Sequence, residues 1–206
     1  MIIDPLFYAM AVPSVILIGL SKGGLTGLGV LAVPLMAIVA SPMQAAAVLM
    51  PILLILDLVA VWTYRKSFDK VTLIITIPSS IIGIIIGAVL VSQVNPDWIR
   101  VIIGFIAISF TISHWRTASD RGSRGHSIFR GTVWGSITGF TSFVTLTGAP
   151  PYQMYLLPLK LDQRTYAGTF MIFFWMNNIL KIIPFMMLGE MTRSTITTSM
   201  ILFPIS

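Results

Sequence analysis

Long apolar runs alternate with short polar clusters along this chain. The runs lie at about 5–20, 25–40, 43–64, 71–91, 99–115, 131–147, 150–160, 164–188 and 194–206. A helix that crosses the hydrocarbon core of a bilayer needs roughly 20 apolar residues, and shorter runs are typical of segments that enter it part-way. The pattern therefore predicts an all-α integral membrane protein.

Two of these apolar stretches are broken by small and polar residues, at 21–27 (SKGGLTG) and at 145–151 (TLTGAPP). Irregular backbone at membrane depth is tolerated only where it is buried in protein or lines a polar cavity, because hydrocarbon offers no hydrogen-bond partners. Paired breaks in the two halves of a membrane protein indicate a substrate site. The sequence predicts that the two breaks face each other near the middle of the membrane.

The composition leaves no room for a soluble domain, since 56% of the 206 residues are hydrophobic and only 10% are charged. Soluble domains carry about 25% charged residues. The absence of cysteine excludes disulfides and thiolate metal sites. The net charge of +6 comes from basic residues in short loops, which indicates membrane orientation rather than nucleic-acid binding. We expect no cofactor and no metal.

The basic residues predict the orientation of the chain. Nine of the thirteen lysines and arginines fall in three loops, as Arg65, Lys66, Lys70, Arg116, Arg121, Arg124, Arg130, Lys160 and Arg164. Loops rich in lysine and arginine stay in the cytoplasm. The N-terminus then lies outside, provided that 5–40 and 131–160 each form a broken, re-entrant-type hairpin that returns to the side it entered from.

The two halves also resemble each other in order. Each break is followed by a proline-containing tripeptide, at 33–35 (VPL) and 157–159 (LPL), then by a polar corner and a long helix that begins near Gln44 or Gln163. We predict two inverted repeats, 1–115 and 131–206, joined by a polar linker at 116–130. The last run is shorter than a membrane crossing, so the second repeat is expected to be incomplete at its C-terminus.

The chemistry of the breaks favours an anion. Helix starts present unpaired N–H groups and the positive end of the macrodipole, hydroxyls add donors and glycines allow close approach. Lys22 carries the one formal charge in either break, and neither contains an acid. The alternative for Lys22 is a side chain that extends to the membrane interface. The candidate substrate-binding residues are Ser21, Lys22, Gly23, Gly24, Thr26, Thr145, Thr147, Gly148 and Pro150.

Asp57 is the one acid placed well inside an apolar run. A carboxylate there costs roughly 2.5–3.5 kcal/mol on insertion scales, so we expect it to face a cavity, a partner or a proton. It is a candidate either for proton coupling or for a structural hydrogen bond, with Asn177 as its repeat counterpart. Lys181 is expected to extend to the interface, and His114 and His126 to be solvated, because no acid or second ligand is spaced with them.

At this point the sequence resembles a known family. The residues concerned are 21–24 (SKGG), 33–35 (VPL), 64–66 (YRK), Gly83 and Gly87, 148–151 (GAPP) and 177–181 (NNILK). They resemble the sulfite exporter TauE/SafE family of membrane permeases over essentially the whole chain. The second break departs from the family's glycine-rich pattern by reading LTGAPP at 146–151. The resemblance implies transport of a small anion, often sulfite or an organosulfur acid, across the inner membrane.

Other classes of function fit the residues less well or stay open. An enzyme is disfavoured, because the membrane segments contain no cysteine and a single central acid. A passive anion channel, or a permease for a carboxylate or another non-sulfur anion, stays open beside an alternating-access carrier. The residues also leave the oligomeric state open, including a homodimer. Gly83 and Gly87, four apart on an apolar helix, are expected to be helix-packing contacts.

Overall fold

The structure, a computed structural model, describes residues 4–22, 28–95, 97–98, 101, 104–105, 108 and 125–206. All regular structure in this part of the chain is helical. The α-helices are α1 (Pro5–Lys22), α2 (Ala32–Met36), α3 (Pro42–Tyr64), α4 (Lys70–Gln93), α5 (Ile128–Thr145), α6 (Ala149–Leu156), α7 (Gln163–Met187) and α8 (Arg193–Leu202). Short 3-10 turns lie at Leu28–Leu31, Leu157–Leu159 and Phe203–Ile205. The prediction of an all-helical fold is confirmed.

Four of the described helices, α1, α3, α4 and α7, are long and apolar enough to cross a membrane. The outward face of α4 carries large aliphatic side chains, with Ile74 72% and Ile85 57% exposed. Such a face suits lipid, because contiguous exposed apolar surface is rare on soluble monomers. The chain is therefore a membrane protein, as its hydropathy predicts.

The two halves have the same order of elements. In each, an 18-residue helix is followed by a break, a shorter helix and a long helix of 23 or 25 residues. Polar N-caps begin both long helices: the Ser41 hydroxyl accepts from the Gln44 N–H at 3.1 Å, and the Asp162 carboxylate accepts from the Thr165 N–H at 3.1 Å. These caps satisfy N–H groups that a helix start leaves unpaired.

The short helices differ between the halves. After the first break, residues 28–31 form a 3-10 turn and α2 has only five residues, whereas α6 has eight. A short α-helix therefore directly follows the break in the second half, whereas the described residues after the first break begin with the 3-10 turn. The residues 23–27 that would begin the first one lie outside the described part of the chain.

The two halves pack in a similar way when their helices are matched in order, α1 to α4 of the first half with α5 to α8 of the second. The central pair is α3 with α7; α4 packs on α5 and α7, and their counterparts α8 and α1 pack together while α8 also packs on α3. Such a match is what two related repeats produce. Their inversion and their bounds stay predictions; residues 109–124 lie outside the description, and α5 begins at Ile128, inside the segment predicted as linker.

The α4–α5 contact is close because glycines line it. A Cβ atom on Gly83 would lie 1.9 Å from the Ser136 carbonyl oxygen, and one on Gly139 would lie 2.0 Å from the Ser80 carbonyl oxygen. Gly87 abuts Phe143, whose ring carbon lies 3.0 Å from the position of such a Cβ. The expectation that Gly83 and Gly87 serve helix packing is confirmed, and the contact fixes the end of α5 that carries the second break.

Candidate functional site

The first break is tied to α3 by an ion pair. Lys22, the last residue of α1, donates to Oδ1 of Asp57, whose side chain is fully buried. The other carboxylate oxygen accepts a hydrogen bond from Nδ2 of Asn178 on α7 at 2.6 Å. Asp57 is thus a partner for groups from both halves of the chain, and Lys22, with 21% of its side chain exposed, does not extend to an interface.

Lys181 is fully buried one turn further along α7. Its ammonium donates to the carbonyl oxygen of Ser142 at 3.1 Å and to the Ser142 hydroxyl at 3.0 Å. The expectation that Lys181 extends to the interface is therefore wrong: α7 turns this side chain inward, toward the end of α5. Asp57 and Lys22 both act on Lys181 electrostatically, so the three charged groups share one region.

These five residues, Lys22, Asp57, Ser142, Asn178 and Lys181, form what we call the buried polar cluster. With both lysines protonated, two positive charges and one negative charge give the cluster a formal net charge of +1. Buried charge is costly unless it is paired and hydrogen-bonded. In that protonation state, one positive charge of the cluster has no counter-charge within it.

Asn177 lies next to the cluster, and its side chain has no hydrogen-bond partner among the described residues. Its side chain is buried, and neither its amide oxygen nor its amide nitrogen has a hydrogen-bond partner within the described residues. Asn177 and Lys181 are four residues apart on α7, so their side chains lie on the same helix face. A free amide donor therefore lies one turn from the buried ammonium.

The second break borders the cluster through Gly148. Leu146 ends α5 in the left-handed conformation with φ 56°, and Gly148 is the N-cap of α6. A Cβ atom on Gly148 would lie 2.8 Å from Cβ of Ser142 and 3.1 Å from a ring carbon of Phe174. Only glycine fits between α5 and α7 here, and this places the start of α6 beside the residue that binds Lys181.

The donors at the second break are fewer than the sequence suggests. Proline has no N–H, so Pro150 and Pro151 remove two donors from the first turn of α6. The Thr145 hydroxyl donates to the Thr141 carbonyl oxygen at 2.8 Å, and the Thr145 and Thr147 hydroxyls bond to each other. Their protons are thus used within α5 and the break, and a Thr147 hydroxyl must rotate before it can donate to an anion.

The remaining candidates fall into two groups. Ser21 lies against the 3-10 turn, with its hydroxyl oxygen 3.1 Å from where a Cβ on Gly29 would be. Gly23, Gly24 and Thr26 lie outside the described residues.

Two features of the cluster escaped the sequence analysis. Asn178 is a direct partner of Asp57, and the sequence analysis did not single it out; Asn177 was identified only as the repeat counterpart of Asp57. Lys181 was assigned to the interface because it lies near a helix end. A periodicity signal was available: Lys181 follows Asn178 by three residues and Asn177 by four, the spacings of one helix face, and on an apolar helix such a polar face must point into protein.

A second polar contact joins the loop before α4 to the segment before α5. Asp69 accepts from the Thr72 N–H at 3.0 Å, and His126 Nε2 lies 2.6 Å from its Oδ2. His126 is exposed, as expected, and it also contacts an acid that spacing in the sequence does not reveal. His114 lies outside the described residues. Burial opposes ionisation of Asp69, but the hydrogen bonds from Thr72 and His126 outweigh it and lower its pKa.

The comparisons with known proteins give one match. The model of the sulfite exporter TauE/SafE family matches residues 11–205, nearly the whole chain. No curated protein and no solved structure matches it significantly. The buried polar cluster and three of the four candidate membrane spans lie within the matched region, and the fourth span, Pro5–Lys22, lies partly within it. The chain belongs to the sulfite exporter TauE/SafE family of membrane transporters.

Proposed function

We propose that this protein carries a small sulfur oxoanion, sulfite or an organosulfonate, across the cell's inner membrane by alternating access. The observation that carries the proposal is the buried polar cluster, in which two lysines face a single carboxylate. An anion supplies the missing negative charge, whereas a cation would add to an existing excess of positive charge. Membership of the sulfite exporter family favours sulfur among small anions.

The proposed binding residues are those of the breaks and their neighbours. Lys181 supplies charge, and Asn177 supplies an amide that has no partner among the described residues. Lys22, paired with Asp57, holds the first break beside them, and Gly148 places the second break beside Ser142. The oxygens of a sulfite or sulfonate group accept several hydrogen bonds at once, which suits donors that converge from α5, α6 and α7. The remaining residues of the proposed site are those predicted from the sequence: Ser21, Gly23, Gly24, Thr26, Thr145, Thr147 and Pro150.

The matching packing of the two halves supports alternating access. Inverted repeats let two related halves exchange conformations around a fixed central site. We propose that 1–115 and 131–206 are such repeats, and that the helix pair α3–α7, which holds Asp57, Asn178 and Lys181, forms the centre of the exchange.

The experiment is uptake into proteoliposomes of the purified protein. Separate lanes contain sulfite, methanesulfonate, sulfate, thiosulfate and acetate, with protein-free liposomes as the control for leakage. We expect saturable uptake of sulfite or methanesulfonate above that of acetate. Uptake that rises linearly without saturation indicates a passive channel, and preference for acetate indicates a carboxylate permease; either result contradicts the proposal.

A further inference from the structure

Lys181 is the charged group of the cluster that has no carboxylate bonded to it. Its hydrogen-bond acceptors are the carbonyl oxygen and the hydroxyl of Ser142, both of which are neutral. Lys22, in contrast, is paired directly with Asp57. A protonated Lys181 is therefore a fully buried cation, and no group bonded to it among the described residues cancels its charge. A buried charge that is not paired is costly.

The partner of Lys181 is compatible with either protonation state. The ammonium form donates to both oxygen atoms of Ser142, as the distances of 3.1 and 3.0 Å show. A neutral amine keeps both contacts, because it donates to the carbonyl and accepts from the hydroxyl, which can reverse its role. Removal of the proton from Lys181 leaves no buried polar atom of this pair without a partner.

Asp57 lacks this freedom. Its two carboxylate oxygens already have donors, Lys22 on one and Asn178 on the other. Protonating the carboxylate would break its ion pair and leave Lys22 as an unpaired cation. The sequence left Asp57 open to proton coupling or to a structural hydrogen bond. Its contacts fit the structural role.

The surroundings of Lys181 contain few other charged groups. Lys181 lies on α7, against α3, α4 and α5. Within the described residues, Asp57 is the one charged residue of α3, Lys70 opens α4 and Arg130 lies in the first turn of α5, while Lys22 ends α1. Of these, Asp57 and Lys22 act on Lys181, with opposite signs.

An anion bound beside Lys181 supplies the negative counter-charge that the protonated side chain lacks. By linkage, an anion that binds better to the protonated form must also make the proton bind better. The unpartnered amide of Asn177, one turn away on the same face, marks where such an anion would be held.

We propose that Lys181 binds the substrate anion as a lysinium and releases its proton when the anion leaves, so that one proton moves with each anion. This inference rests on the proposed function. In the loading step, the neutral amine, one proton and one monoanion form a lysinium–anion pair; on the other side the pair separates into amine, proton and anion. Transport of a monoanion is then electroneutral, and the empty carrier returns without the added charge.

The test compares driving forces in proteoliposomes. Methanesulfonate is the main probe, because it stays a monoanion across the neutral range, and sulfite is run beside it. For wild type, an inwardly directed proton gradient should accumulate the anion, whereas an inside-positive potential set with potassium and valinomycin should have little effect. In Lys181→Arg the charge is permanent. Its flux should lose the response to the proton gradient and gain a response to potential.

Lys66→Arg is the matched control, since Lys66 is an exposed loop residue and should keep the wild-type behaviour. Exchange of each anion at equal pH tests the proposed function separately. If wild type exchanges neither anion, the proposed function fails and this inference with it. If wild type exchanges one but its uptake ignores the proton gradient, or if Lys181→Arg responds to the gradient like wild type, the inference alone is overturned. If Lys181→Arg does not fold, the response of wild-type uptake to the proton gradient and to the membrane potential tests the inference.

Discussion

The two buried-cluster lysines, Lys22 and Lys181, differ in what balances their charge. Lys22 ends a helix at a break and pairs with the carboxylate of Asp57. Lys181 lies within the last two turns of α7 and, among the described residues, bonds to the neutral Ser142. The comparison teaches that a buried lysine with its own counter-ion serves the fold, because its charge is already satisfied. A buried lysine without one is available to a ligand and to a proton.

The largest expected effect is the loss of stability when the Lys22–Asp57 ion pair is broken. Asp57→Asn leaves Lys22 without its counter-ion, and breaking a buried pair in this way costs about 3–5 kcal/mol. The double variant Lys22→Met with Asp57→Asn should recover much of that loss, because no unpaired charge remains. Thermal unfolding in detergent measures both. A single variant as stable as wild type would show that the pair does not hold the first break to α3.

The next effect concerns transport. Lys181→Met removes the cation that we propose to bind the substrate, so the anion would enter without its counter-charge and affinity should fall at least about 100-fold, as expected from the loss of roughly 3 kcal/mol. Concentration dependence of sulfite uptake measures the change. Stability should change less than in Asp57→Asn, since no charged partner of Lys181 is left unpaired. Unchanged affinity would return Lys181 to a structural role.

Gly148 tests whether the second break belongs with Lys181. In Gly148→Ala the added Cβ would lie 2.8 Å from Cβ of Ser142, and overpacking of this kind costs about 1–3 kcal/mol. Displacing Ser142 should weaken anion uptake as well as stability. Gly125→Ala is the control, because a Cβ there meets nothing within 4 Å. If Gly148→Ala transports the anion at the wild-type rate, the second break is not part of the anion site.

Thr147→Val is a smaller perturbation of the same break. The hydroxyl of Thr147 is hydrogen-bonded to that of Thr145. The free energy of unfolding should therefore fall by about 0.5–1.5 kcal/mol, the net value of a neutral hydrogen bond. A loss above about 1.5–3 kcal/mol in apparent anion affinity would show instead that the hydroxyl rotates to bind the charged substrate directly.

The smallest effect lies at the Asp69–His126 contact, away from both lysines. Hydrogen bonds lower the pKa of Asp69 in the folded protein, so the stability it contributes is present above its unfolded pKa and is lost as pH falls through the lower folded value. Asp69→Asn should cost about 1 kcal/mol or less at neutral pH, given the partial exposure of His126, and the cost should vanish in acid. Detergent-phase unfolding across pH checks the sign; a cost that grows in acid would contradict it.

Much of the fold could be predicted from the sequence because membrane helices are encoded locally. Hydropathy located the four long helices α1, α3, α4 and α7 to within a few residues, and polar corners at Ser41 and Asp162 located the starts of α3 and α7. The run at 25–40 corresponds only to a 3-10 turn and the five-residue α2. The partners within the cluster could not be predicted in the same way. Lys22 and Asp57 are 35 residues apart and Asp57 and Asn178 are 121 apart, so tertiary packing alone brings them together.

The site was predicted in part for the same reason. The sequence singled out Lys22, Asp57 and Gly148 by local oddity: a charge, an acid and a glycine where apolar residues are expected. It misjudged Lys181 because distance from a helix end does not reveal which way a side chain points. The rotation of α7 is set by Phe173 and Phe174, which pack against Tyr152 of α6, and Tyr152 and Phe173 stack with ring centroids 3.9 Å apart.

The central claim, that the anion completes the charge of Lys181, is tested most directly by counting protons on binding. Methanesulfonate is added to wild-type protein in weakly buffered detergent solution that contains a pH indicator. The titration is repeated from about pH 6 to pH 9, a range that lies below the ordinary lysine pKa of ~10.4. We predict proton uptake that rises with pH toward one proton per bound anion, and none in Lys181→Arg. Binding without proton uptake in wild type, or equal uptake in Lys181→Arg, would contradict the account.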